Sequence, residues 1–367
     1  MLAFVPPCFY PSYADAFSTW LYRALTFLVV SCPCALLVSV PLSFFGGIGG
    51  ASRKGILIKG GNYMDALAHI DTVVLDKTGT LTQGTFAVEA IHPDELSEKE
   101  LLHLAAHVEH FSHHPIADGC TTNHVHEVVG KGIVADVNGH RVAVGNERMM
   151  EAEGATLHPC KRCEGHAGTV VHVAIDGRYA GHVVISDQVK VDASEALRAL
   201  RQLGVKQTVM LTGDKEAVAR QVAQQVGIDS YAAELLPADK VDRVERLIQQ
   251  QSQEKGTLAF VGDGINDAPV LARADVGIAM GAMGSDAAID AADVVLMDDK
   301  PSKIAEAIRI AHRTIANARQ NVIFAIVVKA LVLLLASVGV ATMGMAVFAD
   351  VGVMVLCVLN SMRTLRV

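Results

Sequence analysis

Apolar and polar positions alternate along this chain in three different rhythms. Residues 20–45 are almost continuously apolar, with Arg23 as the one charge. At about 1.5 Å per residue that is long enough for the ~30 Å of a hydrocarbon layer. The run is interrupted at Ser31-Cys32-Pro33-Cys34, with Pro41 further on. Proline removes a backbone donor, and broken helices at membrane depth survive where they line a site. Two further apolar runs, 322–340 and 345–359, flank a short break at 341–344. Basic residues lie outside them, Arg309, Arg313 and Arg319 before and Arg363 and Arg366 after, as Arg53, Lys54 and Lys59 follow the first run. By the positive-inside rule these ends face the cytoplasm. The pattern predicts three membrane helices, the last two as a hairpin.

Between them the pattern becomes that of a soluble fold. Residues 70–75 (IDTVVL), 207–211, 257–261 and 276–279 read as buried strands, and 193–203, 216–226 and 239–250 as amphipathic helices. Such alternation predicts a doubly wound parallel sheet. Residues 84–183 break it. They are rich in His and Gly, pair as strands over 170–184 around Asp176-Gly177, and read as an inserted α+β domain. The expected division is a membrane segment at 1–60 with its helix at about 18–46, a sheet domain at 61–83 and 184–301, the insertion at 84–183, and a membrane hairpin at 302–367 with helices at about 320–340 and 345–362.

Composition agrees: 51% of the 367 residues are hydrophobic and the mean hydropathy is +0.34, high for a soluble protein. The net charge of -8 gives no reason to expect nucleic acid. Seven cysteines, two inside an apolar run, read as thiols or metal ligands and not as a disulfide framework. No secretory leader is recognisable.

Three acidic motifs each follow a predicted strand: Asp76-Lys77-Thr78-Gly79-Thr80, Thr212-Gly213-Asp214 and Gly262-Asp263-Gly264-Ile265-Asn266-Asp267. Lys240 follows Leu236-Pro237. In a parallel sheet all of these reach the carboxyl edge, where α/β folds place their chemistry. Phosphoryl transfer to a carboxylate needs an in-line nucleophile, a divalent cation and donors for the phosphate oxygens. Asp76 is the expected nucleophile, with Lys77 and Thr78 beside it. Asp76, Thr78 and Asp263 are expected to hold Mg2+, with Asp267 and Asn266 in its outer shell. Thr212, Gly213, Asp214 and Lys240 are expected to bind the transferring group. A phosphatase of this plan gains from an acid two residues past the nucleophile; here that residue is Thr78, so the aspartyl phosphate is expected to persist. No Gly-x-x-x-x-Gly-Lys-Ser/Thr loop is present.

On these motifs, DKTGT at 76–80, TGD at 212–214 and GDGIND at 262–267, the chain resembles the P-type ATPases from about residue 25 onward. Cys32-Pro33-Cys34 and His114-Pro115 resemble the heavy-metal-transporting (type IB) branch. The resemblance implies a HAD-like phosphorylation domain with an inserted nucleotide-binding domain, and ATP, held by Glu109, His114, Gly130, Gly132, Gly145 and Asn146. Family members also carry an actuator domain whose Thr-Gly-Glu loop hydrolyses the aspartyl phosphate. This sequence contains no Thr-Gly-Glu. It reads as the C-terminal part of a pump in a bacterial plasma membrane, with the N-terminal actuator portion as a possible partner.

Cys32 and Cys34 would be soft ligands for Zn2+, Cd2+, Pb2+ or Cu+. Lys329 and Asp350 lie inside the other apolar runs, where charges are functional candidates by default. A carboxylate beside thiolates suits a divalent borderline metal, and the contexts of Lys329 and Asp350 are similar to those of zinc, cadmium and lead exporters. Export of Zn2+ or Cd2+ is the leading expectation, with Cu+ or Co2+ as alternative cargo. A membrane-anchored HAD-type phosphatase and a non-catalytic nucleotide- or metal-binding remnant are the competing readings. His158, Cys160, Cys163 and His166 have zinc-like spacing in a predicted loop and are read as incidental.

Overall fold

The computed structural model describes residues 13–31, 34–94, 96–110, 122–128, 130–157, 168–251, 256–263, 267–281, 286–338 and 340–366. The strands are β1 (Ile56–Ile58), β2 (Ile70–Asp76), β3 (Thr82–Pro93), β4 (Thr122–Val128), β5 (Gly132–Val137), β6 (His140–Gly145), β7 (Thr169–Ile175), β8 (Arg178–Val189), β9 (Gln207–Leu211), β10 (Ser230–Ala232), β11 (Thr257–Gly262), β12 (Val276–Met280) and β13 (Val294–Leu296). The helices are α1 (Tyr13–Val30), α2 (Cys34–Arg53), α3 (Gly61–Leu67), α4 (Glu98–His110), α5 (Glu147–Ala152), α6 (Ala193–Gln202), α7 (Glu216–Val226), α8 (Pro237–Gln251), α9 (Ala268–Leu271), α10 (Asp286–Ala291), α11 (Ser302–Val338) and α12 (Met343–Ser361).

Packing divides the chain into two units. Residues 1–80, 191–213 and 227–367 form one, and 81–190 with 214–226 the other. The first unit holds a seven-stranded sheet ordered β1-β13-β12-β11-β2-β9-β10, parallel except where β1 meets β13. All seven residues of β2 are buried, as expected of a central strand covered on both faces. Helix α6 shows why its residues choose a helix: Ala193, Ala196, Leu197 and Leu200 recur on one stripe and are buried. Pro237 opens α8, a position that lacks an intrahelical acceptor for its N–H anyway, and Asp239 Oδ2 accepts from Leu236 N at 2.9 Å.

Among the described residues, three helices of this unit are long and apolar enough to cross a membrane: Cys34–Arg53, Ser302–Val338 and Met343–Arg366. They pack on one another. The single broken span expected over 20–45 is in fact two helices. Ser31 Oγ donates to Phe27 O at 2.7 Å in the last turn of α1. Helix α2 then runs past Phe45 to Arg53, and Pro41 lies within it without ending it.

The second unit is a six-stranded antiparallel sheet ordered β3-β8-β7-β6-β5-β4. It reaches beyond the expected 84–183 at both ends, because β3 and β8 pair from Thr82–Val189 to Pro93–Gly181. Helix α4 covers one face through Leu101, Ala105 and Val108. Met149 and Met150 of α5 pack against Val134, Ala143 and Ala174. The β5–β6 and β7–β8 turns have positive φ at Asn138-Gly139 and Asp176-Gly177, the conformation tight hairpins require.

Candidate active site

Asp76 ends β2 between β9 and β11, its parallel neighbours. Leu211, directly opposite Asp76, delivers Thr212 to the same edge, and Gly262 at the end of β11 delivers Asp263. Oxygen atoms of Asp76, Asp263 and Asp267 lie within 4.8 Å of one another. Lys240 enters from the first turns of α8: its Nζ is 2.5 Å from Asp76 Oδ1 and 2.9 Å from Asp267 Oδ1. The loop after Asp76 leaves helical geometry at Thr78 and reaches φ +71° at Gly79. That turn leaves Thr78 exposed while Lys77 is buried.

Three carboxylates and one ammonium leave the cluster with excess negative charge. Burial, then the charge of Asp267, outweigh the opposing pull of Lys240 and raise the Asp76 pKa from 3.8 to about 7. Burial works against the charge of Lys240, but the carboxylates of Asp76 and Asp267 prevail and its pKa rises. This geometry can hold a divalent cation beside a nucleophilic oxygen, with an ammonium to meet a phosphate.

Of the remaining expected residues, Asn266 lies outside the described residues, and Asp214 belongs to the 214–226 segment of the second unit. Within that unit Gly130, Gly132, Gly145 and Asn146 converge. Gly132 pairs with Gly145, and the backbones are so close that a β-carbon on Gly145 would lie 2.2 Å from Lys131 O. Asn146 Nδ2 donates to Gly130 O at 2.9 Å, and its Oδ1 accepts from Met149 N at 3.2 Å to cap α5. Glu109 falls in the last turn of α4; its side chain and His114 are outside the described residues, as are Cys32 and residues 158–167 with His158, Cys160, Cys163 and His166.

In the membrane helices Lys329 Nζ is 3.8 Å from Asp350 Oδ1. Both line a cavity with Ala35, Ala325, Ala346 and Val353. Cys34 is half-buried at the start of α2. Sequence reasoning missed what lies along the same helices. Cys357 is buried with Ala35, Ala325 and Val353. Its signal was spacing: Asp350, Val353 and Cys357 fall at i, i+3 and i+7 on one stripe. It also missed a polar cluster in which Asn321 Nδ2 donates to Ser361 Oγ at 2.9 Å and to Cys357 O at 3.2 Å, while Ser43 Oγ donates to Asn317 Oδ1 at 3.0 Å.

Residues 70–275 match the model of the haloacid dehalogenase-like hydrolases. The chain is 52% identical over 374 residues to a zinc-transporting ATPase of Synechocystis sp., covering 99% of this chain and 51% of that protein. It is also 52% identical over 378 residues to a cadmium, zinc and cobalt-transporting ATPase of Bacillus subtilis, covering 100% of this chain and 53% of that one. A crystal structure of a zinc-transporting PIB-type ATPase in its E2.Pi state matches with a TM-score of 0.88 at 38% identity, covering 100% of this chain and 61% of the other. The catalytic domain of a CPx-ATPase matches with a TM-score of 0.54 at 28% identity, covering 70% of this chain and 97% of that domain. The chain thus spans about half the length of the curated relatives it matches. It belongs to the haloacid dehalogenase-like hydrolase family, and its close homologues are zinc- and cadmium-transporting P-type ATPases.

Proposed function

We propose that this chain carries the phosphorylation, nucleotide-binding and cation-path portions of an ATP-driven exporter of Zn2+ or Cd2+. The observation that carries the reading is the edge of the parallel sheet, where Asp76 meets Asp263, Asp267 and Lys240. An Asp76 carboxylate oxygen attacks the γ-phosphorus of ATP. The new O–P bond forms as the bridging bond to the β-phosphate breaks, and ADP leaves with that electron pair. Lys240 and Thr212 meet the transferring oxygens. Three carboxylates with excess negative charge fit Mg2+: Asp76, Asp263 and Asp267, with Thr78 beside them, would hold it. When bound it supplies positive charge against the phosphate oxygens. Thr78 offers neither acid nor base to hydrolyse the acyl phosphate, so the phosphate persists. A Thr-Gly-Glu-bearing actuator portion is the proposed partner for releasing it.

The nucleotide itself is assigned to the corner formed by Gly130, Gly132, Gly145 and Asn146, together with Glu109 and His114. The cargo is assigned to Cys32, Cys34 and Asp350, with Lys329 as the counter-charge. The 3.8 Å approach of Lys329 to Asp350 supports this, because it gives the carboxylate a partner when no cation is present.

Incubation of the purified chain with γ-labelled ATP and Mg2+ should give an acid-stable phosphoenzyme that Asp76→Asn abolishes. A well-folded chain that binds ATP and forms none would overturn the reading, and rapid hydrolysis of simple phosphomonoesters would favour a phosphatase.

A further inference from the structure

Away from the phosphate chemistry, the second unit carries a row of imidazoles. His92 on β3 pairs directly with His182 on β8, which pairs directly with His172 on β7. Directly opposed residues of an antiparallel sheet share a face. The ring centroids of His92 and His182 are 5.0 Å apart, and those of His182 and His172 are 5.7 Å apart. A fourth polar ring joins them through an irregularity. Residues three apart on a regular strand point to opposite faces, yet Tyr179 sits on the side of His182. The register shift between Val173 and Ala174, with Gly181 at φ +139°, supplies the extra residue that turns it over. Tyr179 Oη is 2.8 Å from His182 Nδ1 and 3.1 Å from His172 Nδ1.

We propose that His92, His182 and His172 form a binding site for a borderline divalent cation of the Zn2+ or Cd2+ type on this face of the second unit, with Tyr179 as the group that orients two of the ligands. The geometry of the row carries it. The Nδ1 atoms of His172 and His182 face the phenol, which leaves their Nε2 atoms to ligate; with both Nδ1–H groups donating to the phenol oxygen, this is the usual outer-shell arrangement of metal-bound histidine. The three rings do not bring their ligand nitrogens within 4.8 Å of one another, so zinc–nitrogen distances of about 2.0–2.1 Å require the side chains to rotate toward a common point. Imidazole donors favour Zn2+ and its congeners over Mg2+. The row continues to Gly145, which pairs with His172.

The test uses the whole chain in detergent, under saturating Mg2+, with Cys32→Ser, Cys34→Ser, Asp350→Ala, Cys160→Ser and Cys163→Ser removing four of the seven cysteines and the membrane carboxylate. Zn2+ is counted by equilibrium dialysis, and Co2+ serves as an absorption probe of nitrogen ligation. This background should still bind Zn2+ and give Co2+ ligand-field bands. His92→Gln and His172→Gln should each weaken binding at least tenfold with an unchanged circular dichroism spectrum, and Tyr179→Phe should weaken it severalfold. A background chain that binds no Zn2+, or one whose Zn2+ binding is the same with and without the histidine substitutions, would overturn the site. His92 and His172 are only half-buried, so they decide the matter if His182→Gln fails to fold. Phosphoenzyme formation at Asp76 does not enter this readout, so the two proposals fail separately.

Discussion

Gly79 and Asp263 share a space that admits only one side chain: a β-carbon on Gly79 would lie 1.6 Å from Asp263 Oδ2. Gly79 also has φ +71°, a conformation that costs an L-residue about 1 kcal/mol. Gly79→Ala should therefore push the Asp263 carboxylate away from Asp76 and Asp267. Phosphoenzyme yield at fixed Mg2+ should fall at least tenfold, while Tm falls by only about 2–4 °C. An unchanged Mg2+ dependence would show that Asp263 does not need this position.

Asp76 links stability to pH. In the unfolded chain its carboxyl ionises near 3.8, and in the fold it keeps its proton to about 7. The fold binds that proton more tightly. The resulting stabilisation is complete below pH 3.8 and is lost as pH rises to about 7. In buffer free of divalent cations Tm should fall across this window, and Asp76→Asn should flatten that part of the profile. Added Mg2+ should raise Tm more at pH 8 than at pH 5. Equal shifts at the two pH values would contradict the assignment of Asp76 to the cation.

Asn146 does two things at one corner, capping α5 and holding the Gly130 carbonyl. Asn146→Ala should cost about 1 kcal/mol through the lost cap. It should also weaken binding of a fluorescent ATP analogue several-fold. Loss of stability with unchanged nucleotide affinity would leave Asn146 a structural role alone.

Asp350→Ala should reduce Zn2+ affinity of the membrane helices by more than tenfold, measured by titration of the whole chain in detergent with the histidine row substituted. Unchanged affinity would remove the carboxylate from the ligand set.

Asn321→Leu keeps the branched shape of a buried side chain but strips four hydrogen bonds, to Ser361, to the Cys357 carbonyl, to Ser43 and from Asn360. The stranded partners should cost about 1–3 kcal/mol, read as a lower unfolding midpoint in denaturant.

The long runs were legible because each repeats one rhythm. Residues 207–211 and 216–226 coincide with β9 and α7, where β-branched and amphipathic patterns agree with the fold. Asp76, Asp263 and Lys240 were legible as strand-end and helix-start residues. The three-residue strands β1, β10 and β13 are too short to carry a period, and β1 takes its place only by pairing with β13 far along the chain. Cys357 and Asn321 were hidden because a membrane helix is apolar all round, so hydropathy alone does not say which side faces its neighbours. The histidine row depends on register across three strands and on one shifted residue in β8. Neither is written in local sequence.

Helix α11 runs unbroken for 37 residues, from Ser302 beside α3 and α6 to Val338 among the apolar helices. At about 1.5 Å per residue it is a rod of about 55 Å, and a tilt of about 5° at its foot carries its far end about 5 Å. Lys329 sits along the outer part of that rod. The helix has no joint to absorb a small rotation of α3 and α6 at its foot. Mechanically it is a lever arm, and the gap between Lys329 and Asp350 is where its travel would be read.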